Sequence, residues 1–227
     1  MHDILHVSNN IIQGGITMNE PKKRKLSDVM LRWEFKFTVT IFLLALAFVQ
    51  YTRSPEIVST LCLCGMAFST LGDLLLMDYM RVPSYVFKGK QFYAGAASFA
   101  IAHVFYRQMF RTLTPEHSIF ALGEIITLIL LVMIVVAIYK TKLKKKSKWF
   151  FAAAGFYTGI ILSNLAAAIN CTVALDGRYG LAAIGVVCFI ISDLFLFIRE
   201  TMSDTPLVRK LVWVFYPLAQ ILIIMNV

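Results

Sequence analysis

Seven apolar segments follow one another along the chain, and each has about the 20 residues that an α-helix needs to cross the hydrocarbon core of a bilayer. With 59% hydrophobic residues and a mean hydropathy of +0.73, the chain is too apolar for a soluble domain of its length. The sequence therefore predicts an all-α fold, a polytopic transmembrane helical bundle of about seven spanning helices. The predicted spans are residues 34–51, 57–77, 91–110, 118–139, 149–171, 179–198 and 208–226.

The basic residues are distributed unevenly between the two sides of this bundle. Most of the 22 Lys and Arg residues fall in the N-terminal segment and in alternate connections between spans, which is the positive-inside pattern. The pattern predicts a polar, basic, cytoplasmic segment over residues 1–33 and a transmembrane domain over residues 34–227. We expect the protein in the cell membrane or, in a eukaryote, in the endoplasmic reticulum. The basic residues on the opposite side are Arg53, Arg107, Arg111 and Arg178.

The net charge of +9 comes from the same Lys and Arg residues, most of which lie outside the spans. Cations between spans indicate orientation and contact with anionic membrane lipids, so we expect no nucleic-acid partner. The four cysteines lie in or beside apolar spans, without the spacing of a zinc site. No metal and no cofactor is predicted, and the sequence does not indicate an oligomeric state.

Two apolar spans carry one carboxylate each, in related surroundings. Residues 65–77 and 185–197 align without a gap at an offset of 120 residues, which pairs Asp73 with Asp193. This predicts a parallel internal repeat in which helix two resembles helix six, with each Asp about four or five residues from the inner helix end. An ionised Asp at the centre of a span costs at least ~2.5 kcal/mol, so such residues usually have a function. The alternative is a pair of helix-end carboxylates that bind nearby Lys or Arg.

Other polar residues in the spans are expected to face the interior, where they find partners. Tyr157 and Tyr216 are predicted just above the carboxylates. His103, near mid-membrane, is as compatible with an interhelical hydrogen bond as with catalysis, and a structural role is favoured for Asn164. The predicted substrate-binding or supporting residues are Ser69, His103, Tyr106, Tyr157, Asn164, Ser192, Tyr216 and Gln220.

From about residue 34 to its C-terminus the chain resembles the YhhN-like lysoplasmalogenase family of small polytopic membrane proteins. The resemblance implies hydrolysis of the vinyl ether bond of a lysophospholipid, which yields a fatty aldehyde and glycerophosphoethanolamine or glycerophosphocholine. Family members usually have eight spans, and here the polar N-terminal segment is expected to replace the first. The motifs that carry the resemblance are residues 69–73 (STLGD), 95–106 (GAASFAIAHVFY), 189–193 (FIISD) and 216–220 (YPLAQ).

The carboxyl pair suits this chemistry, because vinyl ether hydrolysis needs one acid and one carboxylate, as glycosidases do. Asp73 and Asp193 are therefore the predicted catalytic residues. A proton- or cation-coupled transporter and a non-catalytic membrane scaffold are the alternatives, since paired acids also occur in carriers. Cations on the inner loops are candidates for binding the lipid phosphate. They are Lys88, Lys90, Arg199, Arg209 and Lys210.

Overall fold

The computed structural model describes residues 32–76, 91–114, 126–127, 129–130, 133–134 and 148–226. Every regular element in this part of the chain is helical. Six long helices are described, and we label them in chain order. They are α1 (Trp33–Arg53), α2 (Ile57–Leu76), α3 (Gln91–Leu113), α4 (Lys148–Ala174), α5 (Gly180–Thr201) and α6 (Pro206–Ile224). The all-α prediction agrees with these elements.

Six of the predicted spans coincide with these helices to within a few residues. Five of the six described helices are long and apolar enough to cross a membrane. The exception is α3. Its basic residues Arg107 and Arg111 lower its hydropathy. The predicted span 118–139 lies largely outside the described residues, as does nearly all of the predicted segment 1–33. The number of seven spans therefore stays a prediction.

Short connections join neighbouring helices where the sequence supplies breakers and caps. Ser54 and Pro55 end α1, because the residue before a proline avoids the helical conformation. Thr205 caps α6 through its side chain, and Pro206 occupies the first helical turn, as is typical of helix N-termini. Gly177, with a φ of 86°, allows the tight reversal between α4 and α5. These connections make α1 and α2, α4 and α5, and α5 and α6 antiparallel neighbours.

The helices form a closed ring in which each packs on the next and α6 packs on α1. Phe92 stacks on Phe150 near the starts of α3 and α4, and His103 contacts Asn164 further along both helices. α3 and α4 therefore run parallel and begin at the same end of the bundle. Gly65 lies beside Tyr106 and Gly72 beside Phe99, so α2 is antiparallel to α3. Because α5 is also antiparallel to α4, the two Asp-bearing helices run in the same direction.

The two glycines shared by the aligned segments lie at close helix contacts. A Cβ atom at Gly65 would lie 2.5 Å from Cε1 of Tyr106, and one at Gly185 would lie 2.9 Å from the carbonyl oxygen of Ala219. Small residues allow helices to approach closely in this way. Each glycine thus allows the next helix along the chain to pack closely against the Asp-bearing helix. The internal repeat itself stays a prediction.

The bundle has large apolar side chains outside and polar side chains inside. Phe42, Phe156 and Leu207 are 61%, 74% and 64% exposed. By contrast, Asn164 and Gln220 are fully buried. This distribution is typical of a helical bundle in lipid, where polar groups find partners only in the interior.

Candidate active site

Asp73 is a buried carboxylate in the last described turn of α2. Thr40 of α1 donates a hydrogen bond from Oγ1 to Oδ2 of Asp73 at 2.8 Å. The hydroxyl of Tyr216 on α6 faces the same carboxylate, without making a hydrogen bond of good geometry. Lys36, one turn before Thr40 on α1, acts on Asp73 through its charge. Three helices therefore contribute to the surroundings of this acid.

Asp193 is the matching carboxylate on α5, and it is half-buried. The hydroxyl of Tyr157 on α4 donates a hydrogen bond to its Oδ2 at 2.8 Å. Asp193 lies eight residues before the end of α5, rather than the predicted five or so, because that helix continues through Arg199 to Thr201. Each Asp thus accepts a hydrogen bond from a hydroxyl on the preceding helix of the ring.

The two carboxyl groups border the same aromatic cluster, because Tyr216 faces Asp73 and Tyr157 bonds Asp193. Aromatic rings fill the space around them. Phe99 of α3 lies edge-on to Phe189 of α5 and to Tyr216, with both centroid distances 6.0 Å. Phe189 and Tyr216 are themselves 5.5 Å apart. Such edge-to-face contacts are favourable, and they place an apolar wall beside the acids.

His103 extends this aromatic cluster toward Tyr157. Its ring centroid lies 4.4 Å from that of Phe189 and 6.2 Å from that of Tyr157. Asn164 donates from Nδ2 to Nδ1 of His103 at 3.1 Å. Accepting at Nδ1 defines a neutral imidazole that carries its proton on Nε2. The predicted interhelical bond of His103 is therefore present between α3 and α4.

Tyr106 and Gln220 form a second interhelical pair deeper in the bundle. The Tyr106 hydroxyl donates to Oε1 of Gln220 at 2.7 Å, and Ser69 of α2 faces the same hydroxyl. Gln220 lies one turn after Tyr216 on α6, so both point inward. This group continues the polar interior from Asp73 toward the middle of the helices.

Six buried polar atoms on these helices make no hydrogen bond within the described part of the chain. Buried polar groups are nearly always paired in folded proteins, so a cluster of exceptions marks a place for a ligand or water. Five of the six belong to residues already described around the acids, and the sixth is on Thr70, three residues before Asp73 on α2. The six atoms are Ser69 Oγ, Thr70 Oγ1, His103 Nε2, Asn164 Oδ1, Tyr216 Oη and Gln220 Nε2.

The structure brings together nearly all the side chains predicted for the site. Ser192 differs, since its hydroxyl points to the carbonyl oxygen of Val212 at 3.3 Å and so links α5 to α6. Sequence reasoning missed Lys36, Thr40 and Trp213. Thr40 and Lys36 share one face of α1 at a spacing of four, and that spacing was the available signal. Among the described residues, no group of three or more His, Cys, Asp or Glu could hold a metal.

The fold and the site define a helical bundle with membrane-spanning character and a carboxyl pair in its interior. The sequence profile of the YhhN family matches residues 31–227, which is most of the chain. The protein belongs to the YhhN family, and the resemblance found in the motifs is confirmed. No curated protein and no solved structure matches the chain significantly.

Proposed function

We propose that this protein is a membrane lysoplasmalogenase that hydrolyses the vinyl ether bond of a lysophospholipid. One observation carries the proposal: two carboxyl groups on different helices border one buried aromatic cluster, and each accepts a hydrogen bond from a hydroxyl group. An acid and a carboxylate held together are what this reaction requires. The membership of the YhhN family supports the same conclusion.

The reaction begins with transfer of a proton from one carboxylic acid to the alkenyl carbon that is not bonded to oxygen. The other alkenyl carbon becomes an oxocarbenium ion, and the second carboxylate stabilises it or takes a proton from the attacking water. Water adds to that carbon to give a hemiacetal, and cleavage of its bond to the glycerol oxygen releases the aldehyde and the alcohol. In that cleavage the carboxyl group that took the proton from water gives it to the glycerol oxygen, and the carboxylate left by the first step takes the proton of the hemiacetal hydroxyl. Both carboxyl groups thus return to their starting states.

The surroundings of the acids support a division of the two roles. Asp73 has the hydroxyl of Thr40 bonded to it and the cation Lys36 near it, and such neighbours stabilise a carboxylate. We therefore assign the carboxylate role to Asp73 and the proton donor role to Asp193. His103 Nε2 and Tyr216 Oη are among the unbonded atoms of the site, and they are available to orient water or the ether oxygen.

The same arrangement suggests how a lipid reaches the acids. Thr40, which bonds Asp73, lies seven residues, or ~10 Å at 1.5 Å per residue, from the start of α1. A single-chain lipid can keep its headgroup at the membrane surface while its ether linkage reaches this depth. With the positive-inside pattern, that surface is cytoplasmic, in the cell membrane or the endoplasmic reticulum.

The test is aldehyde release from purified protein in detergent, with a lysoplasmalogen as substrate. A matched lipid with a saturated alkyl ether is the control, because it has no alkene to protonate. Release from the vinyl ether lipid alone supports the proposal. No release, together with gradient-driven uptake of a solute by protein in vesicles, would instead support a transporter. If the protein neither releases aldehyde nor takes up a solute, the remaining interpretation is a non-catalytic membrane scaffold.

A further inference from the structure

Lys36 is a cation at the edge of the site, on the face of α1 that points to Asp73. It lies four residues, or ~6 Å along the helix axis, before Thr40, whose hydroxyl binds that Asp. Its side chain is half-buried, although it belongs to a helix apolar enough to cross a membrane. A lysine in such a position keeps its stem in the apolar region and its ammonium group at the surface.

Trp213 of α6 holds this lysine in place from the other side. The Lys36 Nζ lies 5.3 Å from the centroid of the Trp213 ring, within the range of a cation–π interaction. Trp213 is 9% exposed, and its ring contacts Tyr216 at 5.9 Å. The ammonium group is therefore positioned between α1 and α6, on the Asp73 side of the site.

Two of the candidate cations, Arg199 and Arg209, pair with acidic neighbours. Arg199 forms an ion pair with Glu200 at 3.0 Å. Arg209 donates from Nε to Oδ1 of Asp204 at 2.6 Å. Lys36 differs from them because it shares one face of α1 with Thr40, which bonds Asp73 of the candidate active site. Compared with these two arginines, Lys36 is better placed to meet a ligand bound at Asp73.

We propose that Lys36, held by Trp213, binds the phosphate of the lysophospholipid while the vinyl ether lies at the carboxyl pair. This inference rests on the proposed function. A lysophospholipid carries its phosphate and its ether on opposite ends of one glycerol unit, so a cation close to the acids matches the position of the phosphate. Lysine binds phosphate as a point charge, and the positive charge also offsets the repulsion between the phosphate and Asp73.

The experiment compares two substrates with the same vinyl ether, an alkenyl glycerophosphoethanolamine and an alkenylglycerol without phosphate. Losing a charge-assisted contact weakens binding by about tenfold to hundredfold, so Lys36→Met should raise KM by that factor for the phosphate-bearing substrate only. Lys36→Arg should retain most of the affinity, because the charge remains. Arg53→Met, at the opposite end of α1 and exposed, is the control and should change neither KM.

Two kinetic results would overturn the subsite. An unchanged KM for the phosphate-bearing substrate in Lys36→Met means that Lys36 does not bind the phosphate. An equal rise in KM for both substrates means that the effect of Lys36 does not come through the phosphate.

A binding measurement separates this inference from the proposed function. Native mass spectrometry would compare a saturated ester lysophosphatidylethanolamine, a monoacylglycerol and inorganic phosphate on the wild-type protein and Lys36→Met. We expect Lys36→Met to bind the lysophospholipid more weakly than the wild-type protein does, with no change for the other two ligands. This result is expected even if the wild-type protein releases no aldehyde and the hydrolase proposal fails. Equal binding of the lysophospholipid to both proteins would reject the subsite, and Lys36-dependent binding of inorganic phosphate alone would identify a free anion site instead.

Discussion

The Tyr157 hydroxyl of α4 donates a 2.8 Å hydrogen bond to Oδ2 of Asp193 on α5, and Thr40 of α1 bonds Asp73 on α2 at the same distance. In both cases the hydroxyl group belongs to the helix that comes before the Asp-bearing helix in the ring. The hydrogen bond holds the carboxyl group in one orientation. A fixed carboxyl group can transfer a proton in a defined direction, because its rotamer is set before substrate binds. The two hydroxyls are therefore positioning groups.

We expect Tyr157→Phe to lower kcat for aldehyde release by about tenfold to hundredfold, since it removes the hydrogen bond to Asp193 and little volume. Tyr93→Phe is the matched control, because Tyr93 is 39% exposed on α3 and should leave kcat unchanged. Steady-state kinetics in detergent measure both variants. Full activity in Tyr157→Phe would remove this tyrosine from the site.

Thr40→Val should lower kcat by about tenfold through loss of the bond to Asp73, while Thr40→Ser should restore most of it. Thr38 offers a control on the same helix, because it is exposed and its hydroxyl bonds the backbone of Glu34. Thr38→Val should behave as wild type. If Thr40→Ser is as impaired as Thr40→Val, packing rather than hydrogen bonding explains the role of Thr40.

Gly72→Ala should destabilise the bundle by about 1–3 kcal/mol, because an added methyl group overpacks a tight contact. A Cβ atom there would lie 2.8 Å from the ring of Phe99, and that ring packs on Tyr216. Gly155→Ala is the control, since nothing lies within 4 Å of a Cβ at that position. Thermal unfolding in detergent compares them, and equal midpoints would contradict the packing described for α2 and α3.

The helices and the acids were predictable because hydropathy and the aligned Asp motifs are properties of the sequence. The supporting contacts were harder to predict. Thr40 was not predicted because a single threonine in an apolar helix does not indicate a function. Only the antiparallel packing of α1 and α2 brings it to Asp73. The depth of Asp193 was underestimated because α5 continues past its apolar residues. The Ser192 contact with a backbone carbonyl depends on how α5 packs on α6.

The orientation of the bundle can be tested by labelling cysteines from one side of oriented membranes. Ser203, in the connection between α5 and α6, should react from the cytoplasmic side after Ser203→Cys. Ser54→Cys, between α1 and α2, should react from the opposite side. The four native cysteines are free and need replacement first. Labelling with the sides reversed would place the Asp73 end of the bundle in the other leaflet.

The most direct test of the two-carboxylate mechanism is the rate of aldehyde release from lysoplasmalogen by Asp73→Asn and Asp193→Asn. Each change keeps the size of the side chain and removes its ability to give or hold the proton. Asp176→Asn, in the exposed turn between α4 and α5, is the control and should match the wild-type rate. We predict that each single site variant loses activity, while expression and membrane insertion stay close to wild type. Retained activity in either single variant would contradict the mechanism.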